Sequence, residues 1–269
     1  MRYGIQLCTL GPFADPRATV RLAREAEEAG WEALLVWDHL AWSSSGAPSA
    51  DPWVTLGACA AQTSRLLLGT AVTPLARRRP HVVAQQLASL SLASDGRVVF
   101  GAGLGGPRAE FERFGEPGDE RVRAAMLDEG LDVLARLLTG ERVEHRGEHY
   151  VVADATLAPA PVRKIPFWIG GNSRRALRRA ARWDGWLADG SDEERNRLTP
   201  EDVAASLAPL ELRPGFDVAF IGYAEQADLD AYAAAGVTWW IENVRAQRGR
   251  VDGALALVRH GPREFHIKP

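Results

Sequence analysis

The chain has 269 residues, 46% hydrophobic and 25% charged, with a formal net charge of -3. That composition is ordinary for a globular chain with one sizeable core, and the mixed, nearly balanced charge gives no electrostatic footprint for nucleic acid. Apolar runs are strand-sized, which excludes a helical membrane span, and Cys8 and Cys59 are too few for a disulfide framework or a metal cluster.

Tyr3 to Leu7 predicts a first strand, without the charged start, apolar stretch and cleavage site of a signal peptide. With so few cysteines, the expected setting is reducing and cytoplasmic. Pro16 to Ala29 has a helical stripe of Leu22, Ala26 and Ala29, stopped by Gly30. Ala33 to Trp37 is apolar throughout, as a strand buried on both faces should be. Asp51-Pro52 places a cap and a first-turn proline ahead of a helix to about Thr63. Leu66 to Thr70 is the third strand, Pro80 to Ser94 a helix and Val98 to Ala102 the fourth strand. In Arg121 to Leu138, leucines at 127, 131, 134 and 138 step by four, three and four before Gly140.

Glu141 to Glu144 and Glu148 to Val152 read as a hairpin around Gly147. After a proline-rich connection come the strand Phe167 to Ile169 and the helix Arg174 to Arg182. The strand Gly185 to Ala188, the helix Glu201 to Leu207 and the strand Val218 to Ile221 follow. The helix Asp228 to Ala235, the strand Val237 to Ile241, a last helix near Gly253 to Val258 and a loose tail complete the chain. Eight strand–helix units in this length predict one (β/α)8 TIM barrel over residues 1–269, with a small hairpin insertion near 141–152. The polar stretch Asp189 to Pro200 reads as a lid or as a solvated loop.

Such barrels work at the C-terminal ends of their strands. Four strand ends are polar or glycine-rich: Asp38-His39 with Trp42 just beyond, Thr70-Ala71-Val72, Gly101-Ala102-Gly103, and Gly170-Gly171-Asn172-Ser173. His39 can exchange a proton near neutral pH, with Asp38 as an orienting carboxylate. The alternative is a loop cap and a packed imidazole. The turn at Gly170 to Ser173 precedes Arg174, Arg175, Arg178 and Arg179, a pattern suited to a phosphate, or to a plain capped turn. Gly101, Gly103 and Gly106 fit G-x-G-x-x-G, but no clean helix follows, so a planar ligand lying close to the backbone is the better reading. His145 and His149 flank a turn glycine, not a helix face, so no metal site is expected. Trp37, Trp168, Trp239 and Trp240 read as core, and Trp42 as core or pocket. Lys164 precedes its strand, at the wrong end of the barrel for a Schiff base, and Lys268 is the only other lysine.

Taken in order, several stretches resemble the luciferase-like monooxygenase superfamily. They are Ala26-Glu27-Glu28-Ala29-Gly30-Trp31 with Val36-Trp37-Asp38-His39; Asp51-Pro52-Trp53 with Leu68-Gly69-Thr70-Ala71-Val72; Ser94-Asp95-Gly96-Arg97 with Gly101-Ala102-Gly103; and Ile165 to Gly171 with Ala180 to Trp186. The resemblance covers roughly residues 1 to 190. It implies a barrel holding coenzyme F420 (a deazaflavin) or FMN at its mouth, with a bulge and a cis peptide near Thr70-Ala71-Val72. It implies the cofactor phosphate at Gly170, Gly171, Asn172 and Ser173, and Asp38, His39 and Trp42 near the reactive ring. His39 and Asp38 are then the catalytic candidates, and Asp38, Trp42, Thr70, Ala71, Val72, Gly103 and Gly170 to Ser173 the cofactor-binding ones.

Partners expected on this resemblance are a small-molecule substrate, the flavin-type cofactor, a flavin reductase or cofactor-reducing enzyme, and a second copy in a homodimer; neither nucleic acid nor membrane is expected. The implied activity is hydride transfer between reduced F420 and a small organic substrate. Its alternatives are an FMN-dependent monooxygenase, a non-catalytic flavin-binding barrel, and a non-redox enzyme acting on a phosphorylated metabolite. Arg77-Arg78-Arg79 departs from the family pattern and reads as a solvated turn or as a contact for an acidic cofactor tail.

Overall fold

The structure is a computed structural model that describes residues 1–42, 46–192, 194–244 and 251–262. Its strands are β1 (Arg2–Leu7), β2 (Ala33–Val36), β3 (Leu67–Thr70), β4 (Thr73–Pro74), β5 (Val98–Gly103), β6 (Arg142–Arg146), β7 (Val151–Thr156), β8 (Phe167–Gly170), β9 (Gly185–Asp189), β10 (Asp217–Gly222) and β11 (Trp239–Val244). Its helices are α1 (Pro16–Ala29), α2 (Pro52–Ala60), α3 (Pro80–Ala93), α4 (Arg108–Glu112), α5 (Glu120–Leu137), α6 (Arg174–Ala180), α7 (Pro200–Leu207), α8 (Leu229–Ala234) and α9 (Val251–His260).

The parallel strands run in the order β3-β2-β1-β11-β10-β9-β8-β5, and a β3–β5 pairing closes the ring. This is the predicted eight-stranded barrel, with β4 as a two-residue continuation beside β5. Close strand approach depends on glycine at Gly101, where a Cβ would lie 1.8 Å from the Thr70 carbonyl oxygen. The helices begin and end as their sequences dictate. Asp15 and Asp51 accept N-cap bonds ahead of Pro16 and Pro52, and Gly30 ends α1 at φ 92°.

Side chains alternate around the ring. Leu34 and Val36 face the helices, whereas Ala33 and Leu35 face inward. The interior is packed, not hollow. Trp168 and Trp239 meet edge-on at 5.4 Å, and both indoles donate to Asp217, at 3.2 and 3.1 Å. Trp240 is also buried, but Trp37 is only partly so and faces the mouth, contrary to its reading as core.

One other local expectation is corrected. The hairpin's second strand starts at Val151, not at 148, because Glu129 of α5 accepts the amides of His149 and Tyr150 and holds them in the turn. The stretch after β5, where no clean helix was expected, holds the five-residue α4. The tail at 263–269, including Lys268, and Ser43 to Ser45 of the loop after Trp42 lie outside the described residues. No helix among the described residues is long and apolar enough to cross a membrane.

Candidate active site

Above the packed interior, at the C-terminal ends of the strands, opens a cavity of about 930 Å3. Its floor is the segment after β3. The Ala71–Val72 peptide is cis, as the resemblance implied, and the Ala71 carbonyl accepts from Gln6 Nε2 at 3.0 Å. Val72 is seated between two bare glycine faces. A Cβ on Gly103 or Gly170 would come within 2.8 or 2.6 Å of its methyls. Ala71, Val72, Gly103 and Gly170 therefore form one continuous shelf.

His39 and Trp42 line the side wall, with ring centroids 4.5 Å apart, and Trp37 backs His39 at 5.4 Å. What fixes the imidazole is a residue the sequence reading missed. Glu110, on α4, is fully buried; its Oε2 lies 2.8 Å from His39 Nδ1, and its Oε1 accepts the Leu40 and Ala41 amides at 2.5 and 2.8 Å. Burial opposes its charge, but the hydrogen bonds from His39 and Ala41 and the charges of His39 and Arg77 outweigh it, so its pKa falls to about 2. An ionised carboxylate only accepts, so Nδ1 carries the hydrogen and Nε2 is left for the cavity.

Asp38 is a correction. Its carboxylate does not reach the cavity wall. It is buried in a two-pronged pair with Arg78, Nε and Nη2 each at 2.7 Å. Arg78 also reaches Asp51, the cap of α2, at 3.5 Å. Arg77 donates to the Asp38 carbonyl at 2.5 Å and faces Glu110 at 3.3 Å. Two guanidiniums thus balance two buried carboxylates behind the wall, which corrects both readings of the arginine run at Arg77 and Arg78, whereas Arg79 is exposed. Thr70 is a second correction: it is fully buried and donates to the Gly101 carbonyl at 2.8 Å, tying β3 to β5 outside the cavity.

The opposite wall centres on a glycine turn. Gly170 to Ser173 line the cavity, with Gly171 at φ 118°. Trp186 Nε1 holds the Gly171 carbonyl at 2.9 Å, Asn172 Nδ2 donates to the Asp189 carbonyl at 2.8 Å, and Ser173 Oγ caps α6. Arg174, Arg175 and Arg178 are exposed, whereas Arg179 turns back to Asp128 at 2.6 Å. The polar stretch from Asp189 is strapped down. Asn196 pairs with the Tyr223 backbone in both directions, and Tyr223 Oη donates to the Asp192 carbonyl; Glu193 lies outside the described residues. Lys164 pairs with Asp184 at the far end, and His145 pairs with Glu129. Among the described residues no cluster suits a metal ion.

Residues 4–264 match the family model of luciferase-like monooxygenases. The chain belongs to that family. An F420-dependent glucose-6-phosphate dehydrogenase of Beutenbergia cavernae is 35% identical over 249 residues, 90% of this chain and 70% of that one. Another, of Microbacterium testaceum, is 39% identical over 175 residues, 63% of this chain and 52% of that one. The chain thus spans about half the length of the second relative. Among solved structures, an F420-dependent secondary alcohol dehydrogenase in complex with an F420–acetone adduct aligns with a TM-score of 0.79 at 18% identity, covering 97% of this chain and 98% of that chain. Likeness at that identity speaks for the luciferase-like barrel alone.

Proposed function

We propose that this member of the luciferase-like family is an F420-dependent oxidoreductase that moves hydride to or from a small organic substrate, with His39 exchanging the proton. The observation that carries the reading is the imidazole itself, fixed by a buried ionised carboxylate and turned toward an apolar cavity at the barrel mouth. The two dehydrogenases above, which share 35% and 39% identity with this chain, support the choice of cofactor.

The residues present fit such a group. The shelf of Val72 between Gly103 and Gly170 is flat because a Cβ at either glycine would displace a methyl, and a planar ring can lie against it. The turn of Gly170, Gly171, Asn172 and Ser173 would hold the phosphate with backbone amides, and exposed Arg174 and Arg175 add positive charge. When bound, the deazaflavin supplies a ring carbon able to give or take hydride.

The chain's own share is orientation and proton handling. Glu110 holds the Nδ1–H tautomer, so neutral His39 presents Nε2 as an acceptor and protonated His39 presents it as a donor. Trp37 and Trp42 confine the ring edge-on and keep water off one side. Asp38 acts at one remove, by holding Arg78.

Titration of the purified chain with F420 and with FMN, followed by fluorescence, tests the reading. Micromolar binding of F420 with weaker FMN is expected. Binding of FMN alone would move the assignment to an oxygen-using monooxygenase, and binding of neither would overturn it.

A further inference from the structure

We propose that Arg123, which does not itself line the cavity, is a positioning residue that turns the loop after β5 into an anion-binding rim, so that the cofactor phosphate is held between the amides of Gly105 and Gly106 and those of the glycine turn after β8. This rests on the F420 reading above and deepens it by giving the phosphate a second set of donors.

β5 and β8 are neighbours in the ring, with Ala102 beside Ile169. The loops that leave them, Leu104 to Pro107 and Gly171 to Ser173, therefore stand side by side at the mouth, and both line the cavity. From α5, Arg123 Nη1 donates to the carbonyls of Leu104 and Gly105 at 3.3 and 3.1 Å. Both peptides are trans, and in a trans peptide the carbonyl and the amide that follows it point in opposite directions. Drawing the two carbonyls toward α5 thus turns the Gly105 and Gly106 amides away from it. Among the described residues neither amide has an acceptor. Successive free amides are what backbone anion sites are made of.

The charge balance points the same way. Arg123 is 1% exposed, lies 4.3 Å from the centre of the Phe111 ring, and has a buried Nε with no acceptor among the described residues. The charged groups around it are Glu120, Asp119 and Arg108. Asp119 caps α5, and Arg108 pairs with Glu112. Glu120 is its ion-pair partner, but at 3.9 Å and with the carboxylate side chain 81% exposed, where such pairs contribute little. Arg77, by contrast, faces two fully buried carboxylates. A buried cation calls for a close counter-charge. A phosphate on the cavity side of the two peptides supplies it, with the peptide dipoles aligned between the charges. Glu120 also lines the cavity, so it competes with the phosphate for the same positive end.

The test uses amide NMR on the chain with isotope-labelled glycine, and fluorescence titration with F420 and with the same deazaflavin lacking its phosphate. Inorganic phosphate at millimolar concentration is expected to move the Gly105 and Gly106 resonances saturably, and Arg123→Met to abolish that response. Arg123→Met should weaken F420 about tenfold or more and the phosphate-free compound less than about twofold. Because one nitrogen serves both carbonyls, Arg123→Lys should recover most of the loss. Glu120→Gln, a change at an exposed side chain, should tighten F420 about two- to threefold and leave the phosphate-free compound unchanged. Glycine resonances that ignore phosphate, equal weakening of both ligands by Arg123→Met, no recovery with lysine, or F420 affinity that fails to rise in Glu120→Gln would each overturn the proposal. If phosphate moves the two glycines while F420 does not bind the unaltered chain, the anion rim stands and the cofactor reading falls.

Discussion

The two walls of the cavity are made from opposite materials. On the β2 side a reactive nitrogen is aimed by side chains packed several deep, with Glu110 on His39, Arg77 on Glu110 and Asp38, and Arg78 on Asp38 and Asp51. On the β8 side a glycine turn brings bare backbone to the surface, flanked by the short side chains of Asn172, Ser173 and Ala176. The difference separates two tasks. A group that must hold one tautomer needs a buried, charge-balanced support, whereas a surface that must let a large ligand come close needs bulk removed. Changes on the first side should therefore damage turnover, and changes on the second side affinity.

The largest effect is expected from His39→Ala: a loss of turnover of about 10²- to 10⁴-fold with F420 affinity retained, read by steady-state kinetics beside a fluorescence titration. Equal loss of affinity would erase the division between the walls. Glu110→Gln should cost about 10²-fold in turnover, because an amide can present its N–H to Nδ1 and favour the wrong tautomer; the same substitution leaves Arg77 without its full counter-charge. Its stability signature is directional. Glu110 titrates at about 2 in the folded chain against 4.5 ordinarily, so its contribution is fully present above about pH 4.5 and is lost as pH falls toward 2. That contribution is about 3 kcal/mol. Acid unfolding followed by circular dichroism should be less steep in Glu110→Gln over that window. An unchanged profile would mean that the carboxylate is not ionised in place.

Across the mouth, Gly170→Ala must push Val72 off its seat and should weaken cofactor binding about tenfold with little change in the rate at saturation. The smallest effect is expected for Ser173→Ala, which removes the cap bond to Ala176 and should lower stability by about 1 kcal/mol, measured in urea.

Much of this architecture is written locally. Parallel strands covered on both faces appear as apolar runs such as Ala33 to Val36, and caps such as Asp51-Pro52 mark helix starts, so the eight units could be counted from sequence. Reading the strand ends also brought out His39 and the turn at Gly170 because both lie where a barrel works. The supporting shell was hidden for a physical reason: its partners are far apart in sequence. Glu110 sits on a five-residue helix with no stripe long enough to betray it, and 71 residues separate it from His39. The run Arg77-Arg78-Arg79 looks solvated until Asp38 and Glu110 are placed beside its first two members. Asp38 and His39 are neighbours in the chain, yet their side chains have opposite destinations, which adjacency alone does not reveal. An acidic residue soon after the glycines of β5, beside an aromatic as in Glu110-Phe111, is the signal that would have pointed to the missing carboxylate.

The tryptophan pair that closes the barrel interior has a consequence for traffic. With Trp168 and Trp239 locked edge-on and both tied to Asp217, the well is stopped from below. A ligand that enters by the mouth therefore leaves by it, and the packed interior below offers no second passage.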